Sequence, residues 1–161
     1  MKTALIVAFG LLVVAVVAIR LGALGGPRPA DLGVSNSRLK PPSPTRNSIS
    51  SQAALYPDHP QRDYADIKPL PLKSGPGANS MEALAAALRS MPGIRLVEQR
   101  PDYVRAEAET RLLKFVDDLE FWANPARGVI EVRSASRLGR EDFGVNRQRI
   151  EAIRAAYLAQ P

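Results

Sequence analysis

The chain has 161 residues, no cysteine, 22 basic against 16 acidic side chains and a formal net charge of +6. The missing thiol excludes disulfides, cysteine metal sites, a thiol nucleophile and a lipidated cysteine. The charge does not point to nucleic acid: from residue 80 onward 13 basic residues stand beside 12 acidic ones, whereas nucleic-acid modules gather lysine and arginine on one face.

The first element in chain order is an uncharged run of 16 residues, 4–19, behind Lys2. At 1.5 Å per residue it covers about 24 Å, and residues 21–24 with a snorkelling Arg20 extend it to the thickness of a bilayer. Residues 1–26 are therefore read as a single-pass anchor that meets the membrane through residues 4–24. A cleaved secretory signal is the alternative, with Lys2 as the charged start and Ala23 and Gly25 as the small residues a signal peptidase inspects. Arg20, Arg28, Arg38 and Lys40 behind the segment outnumber Lys2 in front, which by the positive-inside rule argues against export. The usual role of a lone N-terminal apolar segment argues for it, and places the C-terminal part in the periplasm.

Residues 27–79 read as a linker and docking arm, since ten of the fourteen prolines fall within residues 25–77. Proline fixes φ, removes a donor and biases its predecessor away from helix, so the stretch to about Asn47 is expected to be a semi-extended spacer. Ile49, Leu55, Tyr56, Tyr64, Ile67, Leu70 and Leu72 are spaced as an irregular arm, of which residues 64–72 are expected to dock on the domain with one short strand. The single histidine, His59, stands between Asp58 and Pro60 and reads as a solvated loop residue rather than a metal ligand.

Residues 80–161 form the domain. Ser80 is expected to cap a helix whose Met81, Leu84, Leu88 and Met91 make one apolar stripe, ended by Pro92 and Gly93. Strands follow at 94–99 and 103–109, turned at Arg100, Pro101 and Asp102, then at 112–122 and 129–136 with a loop at 123–128. A last helix over 145–158 buries Ile150, Ile153 and Tyr157. The expected class is α+β: an antiparallel four-stranded sheet with two helices on one face.

Strand alternation sorts the chemistry-capable residues. Leu113, Phe115, Leu119 and Phe121 share the core face with Asp117, while Asp118, Glu120 and Trp122 share the other. Arg133 and Arg137 alternate onto that second face, so Asp118 and Glu120 are expected to form an exposed cross-strand ion-pair ladder with them. Asp117 interrupts an apolar row and needs a partner, for which Ser134, Ser136 and Asn146 are the candidates. Their most economical role is a buried hydrogen-bond lock, and the second is a ligand pocket. Asp117, Asp118 and Glu120 cannot converge on one metal ion, because neighbouring strand residues point to opposite faces.

The string Phe115-Val116-Asp117-Asp118-Leu119-Glu120-Phe121, followed by Val132-Arg133-Ser134-Ala135-Ser136-Arg137-Leu138-Gly139 and by residues 142–151, resembles the uncharacterised family catalogued as domain of unknown function 1499. The resemblance covers about residues 48–158 and extends more loosely to Asn47-Ser48-Ile49-Ser50-Ser51-Gln52. Family members commonly carry a cysteine after that asparagine; here Ser48 stands in its place. The resemblance implies no established activity, substrate or cofactor, and it implies membrane attachment or export.

The resulting expectation is a membrane-tethered extracytoplasmic domain that serves as a non-catalytic binding or structural module of the cell envelope. Its partners would be the membrane and an envelope protein or lipid, with no cofactor, no metal and no nucleic acid. Arg133, Ser134, Ser136, Arg137 and Asn146 are the ligand-binding candidates. The alternative is a hydrolase-like enzyme with Asp117, Asp118 and Glu120 as its carboxylates and Arg133 and Arg137 holding an anionic substrate.

Overall fold

The structure is a computed structural model that describes residues 1–73 and 77–160; the last residues of the predicted linker before Gly77 lie outside it. Helix α1, Lys2–Arg20, buries none of its side chains and is long and apolar enough to cross a membrane. Strands β1 (Ser48–Ser50) and β2 (Leu70–Pro71) flank a 3-10 turn at Ala53–Leu55 and the short helix α2, Arg62–Ala65. Then come α3 (Gly77–Ser90), β3 (Ile94–Gln99), β4 (Tyr103–Glu109), β5 (Val116–Asn124), β6 (Val129–Ser136) and α4 (Val145–Leu158).

The sheet is antiparallel in the order β1-β6-β5-β4-β3, with β2 also paired to β6. It has six strands rather than the four expected. Both extra strands come from the proline-rich region and add to the same edge of β6, which the long central hairpin alone would leave open.

Alternation assigns the two sheet faces as expected. Val104, Ala106 and Ala108 of β4, Leu119 and Phe121 of β5, and Ile130 and Val132 of β6 enter one core cluster. Met81, Leu84 and Leu88 of α3 and Ile150, Ile153 and Tyr157 of α4 belong to that same cluster. Ile49, Ile67 and Leu70 close it from the arm.

Three boundaries differ from the sequence reading: β5 runs to Asn124 rather than Trp122, shortening the expected loop, and the starts of α3 and β5 are shifted for local reasons. Helix α3 begins at Gly77, so Ser80 is not its cap; the buried Ser80 hydroxyl instead accepts the Lys73 backbone N–H at 2.9 Å. Strand β5 begins at Val116 because residues 110–115 close a tight loop. In that loop Thr110 Oγ1 accepts the Phe115 N–H at 3.0 Å, and Lys114 adopts φ +60°. Leu113 consequently leaves the expected core row, and it and its neighbour Leu112 are exposed.

Candidate functional site

The second face of the sheet carries charge in rows set by the strand register. Arg105, Glu120 and Arg133 lie side by side across β4, β5 and β6, and Glu107 and Asp118 occupy the next row. Arg133 Nη1 reaches Glu120 Oε2 at 3.2 Å. Arg137 grips Asp118 with two hydrogen bonds, Nε to Oδ2 at 2.9 Å and Nη2 to Oδ1 at 2.8 Å, and also reaches Glu107 at 2.7 Å. The pairing anticipated from alternation is therefore present.

Its exposure is not. Asp118 is 1%, Glu120 0% and Arg133 4% accessible, so the exposed ladder is corrected to a buried one. The cover is the stretch between α1 and β1, expected to be a spacer. Arg28 donates to Glu107 at 3.0 and 2.7 Å, and the Gly33 N–H donates to Glu120 at 2.7 Å. The Pro41 carbonyl accepts from Arg133 at 3.3 Å, and the Ser43 N–H donates to Ser48 Oγ at 2.7 Å. Leu39, 1% accessible, packs with Tyr103 and Trp122 in a second small core on this face, and its N–H donates to Gln52 at 2.8 Å. Proline supports this strap by presenting few N–H groups that would need partners.

On the core face Asp117 pairs with Arg149 of α4 at 2.7 Å, and not with the residues named as its candidates. Those residues do meet one another. Ser134 Oγ donates to Asn146 Oδ1, and Asn146 Nδ2 donates to Ser136 Oγ at 3.1 Å, to the Asn47 carbonyl at 3.2 Å and to Asp142 at 2.7 Å. Asp142 is the acid of the lock: its carboxylate also accepts the backbone N–H groups of Gly144 at 3.0 Å and Asn146 at 3.1 Å, fixing the start of α4, and the Tyr64 hydroxyl. Arg149 ties the two parts together by donating to Asn146 Oδ1 at 3.2 Å.

The chemistry open to these groups follows from their partners. Asp117 lies on one face of the sheet and Asp118 and Glu120 on the other, and each is held by an arginine. Glu131, also fully buried, accepts from Ser51, Asn124 and Arg127. A cleft of about 280 Å³ between the strap and the sheet is lined by Pro41, Pro44, Asp118, Ser136, Arg133 and Arg137, and both arginines there already face carboxylates. Ser134 and Asn146 lie outside that cleft, so the five ligand-binding candidates do not share one cavity. Among the described residues the one buried side-chain nitrogen or oxygen without a partner is Nη1 of Arg105.

Sequence reasoning missed Glu107, Tyr103, Arg149, Asp142 and the strap. Glu107 and Tyr103 were readable, since alternation along β4 puts them opposite Ala106. Tyr103 donates to Glu120 at 2.9 Å.

These contacts set a pH dependence. Burial acts to raise the pKa of Glu107, but hydrogen bonds from Arg137 and Arg28 hold it below the ordinary value; burial is likewise outweighed at Asp142 by the Tyr64 hydroxyl and the backbone of Gly144 and Asn146. Tyr64 is pushed up to about 12 by burial and by Asp142, and Tyr103 is raised by burial and by Glu120. Below about pH 5 the unfolded chain takes up protons on these carboxyls before the folded chain does; above about pH 10 it loses tyrosine protons that the folded chain keeps. Denaturation midpoints should therefore be level between about pH 6 and 9 and fall on both sides. A midpoint unchanged down to about pH 3 would show that Glu107 and Asp142 lack these bonds in solution.

No curated protein matches the chain. A family model described as Protein of unknown function (DUF1499) matches residues 38–157, about three quarters of the chain. The match opens inside the strap, next to Leu39, and takes in the charged rows, the Asn146 lock and the buried stripe of α4; the chain belongs to this family of proteins of unknown function.

Proposed function

We propose that this protein is a membrane-tethered, extracytoplasmic domain that performs no chemistry of its own and acts as a binding or structural module of the cell envelope. The observation that carries the reading is the strap. The residues that follow α1 are clamped across the sheet by Arg28, Gly33, Leu39 and Pro41, which makes the link between helix and domain short and stiff. Gly26 has φ +69° and its backbone lies so close to the sheet that a Cβ would stand 2.9 Å from Arg137 Cβ and Leu138 Cγ. Residues beside the candidate cleavage position are thus folded into the domain, which favours a retained anchor over a removed signal. The pairing of every candidate carboxylate with arginine favours a non-catalytic role.

Full-length protein should sediment with membranes and resist alkaline extraction with Met1 or its neighbours intact, and a C-terminal alkaline phosphatase fusion should be active in a bacterial host. Recovery of a soluble chain beginning at Gly26 would overturn the anchor, and an inactive fusion would overturn the extracytoplasmic placement.

A further inference from the structure

Outside α1 and its exit residue Leu21, the exposed large apolar side chains are not scattered. Leu112, Leu113, Leu138, Phe143 and Val145 are exposed at 69%, 42%, 38%, 86% and 41%, and apart from Met1 at the other end of α1 the only others among the described residues are Leu55 and Leu158. Leu112 and Leu113 lie on the loop before β5, Leu138 and Phe143 on the loop after β6 and Val145 at the first residue of α4, at the end of the sheet where the chain arrives from α1. Gly25 is 3.9 Å from the Lys114 carbonyl and 3.6 Å from Val116, measured from the position of a Cβ, and Gly26 abuts Arg137 and Leu138. Both apolar loops therefore touch the chain where it comes down from the helix onto the domain.

The backbone at this end is arranged to present them. Phe143 adopts φ +52°, a left-handed conformation that strongly disfavours a bulky residue, and Gly144 follows at φ +81°. That strain leaves an aromatic ring almost fully in solvent, where it contributes nothing to the core. Arg111 and Arg140 flank the apolar residues, are exposed, and form no ion pair among the described residues. Exposed apolar and aromatic tips among unpaired cations are the composition that settles at the boundary of an anionic bilayer, the rings at headgroup depth and the cations on phosphate.

We infer that the loops over residues 110–115 and 137–145 dip into the anionic membrane surface beside α1, with Phe143 and Leu112 entering the interface and Arg111 and Arg140 meeting the headgroups. This rests on the reading that α1 remains in the membrane. The domain then stands on the bilayer on this end, and the β5–β6 turn points away from it, about 30 Å distant along the nine residues of β5.

The absence of cysteine makes the test direct. Full-length protein carrying Phe143→Cys, Leu112→Cys or, in the far turn, Ala126→Cys is labelled with an environment-sensitive fluorophore. It is then reconstituted in phosphatidylcholine vesicles containing phosphatidylglycerol, with lipids spin-labelled high on the acyl chain. The first two labels should be blue-shifted and quenched severalfold more than the label at position 126. Equal, water-like emission from all three positions in protein that sediments with the vesicles would overturn the inference and leave the anchor standing. Protein that fails to sediment with the vesicles would overturn both.

Discussion

Replacing Glu120 by Ala should lower the stability of the domain by about 3 to 5 kcal/mol, the range for removing one partner of a buried ion pair. The carboxylate is inaccessible and receives three donors: Arg133 Nη1, the Tyr103 hydroxyl and the Gly33 N–H. Its loss leaves the Arg133 guanidinium, itself 4% accessible, without its charge partner, and loosens the strap at Gly33. Carrying Glu120→Met and Arg133→Met together should restore much of the loss, because an apolar pair of similar volume removes the uncompensated charge. By contrast Glu151→Ala, an exposed carboxylate whose partner Arg154 keeps the Lys68 and Pro69 carbonyls, should change stability by about 0 to 1 kcal/mol. Urea unfolding of the four proteins checks this. A loss below about 1 kcal/mol for Glu120→Ala would mean that water reaches this face.

Asn146→Ala is expected to be the second most damaging change, at about 2 to 4 kcal/mol, because several buried groups lose their partner at once. The hydroxyls of Ser134 and Ser136 would be stripped of these contacts, the Asn47 carbonyl would keep only the Ser136 N–H, and Asp142 would lose a side-chain donor at the start of α4. Asp117→Ala should cost about 1 to 3 kcal/mol by freeing Arg149. Since Arg149 contacts both Asp117 and Asn146, the double variant should lose less than the sum of the two. Strictly additive losses in denaturant unfolding would show that Arg149 does not join the two.

The alternation of β5 and β6 made the pairs Asp118–Arg137 and Glu120–Arg133 legible, together with the inward placement of Asp117, because a period of two leaves no choice of face. What alternation cannot express is what lies above a face. The strap has no periodic apolar pattern: one leucine, Leu39, one arginine, Arg28, and a set of backbone groups hold it down, and backbone contacts leave no trace in residue type. Strand β1 was hidden for a similar reason, since Ser48, Ile49 and Ser50 are few and mostly polar, and their pairing with β6 spans more than eighty residues of sequence. Arg149 stands three residues after Asn146 on the same side of α4, but an arginine on a helix reads as solvated until a buried carboxylate is seen to face it. The six-strand sheet and the partner of Asp117 are thus tertiary facts, whereas the faces and the last helix are local ones.

Amide hydrogen exchange on full-length protein reads whether the strap binds the domain rigidly to the base of α1. The N–H groups of Gly33, Leu39 and Ser43, which donate to Glu120, Gln52 and Ser48, should be protected nearly as well as those of β5, and Glu120→Ala should release Gly33 first. Exchange of all three at the rate of an unstructured chain, with β5 still protected, would show a free spacer and contradict the account.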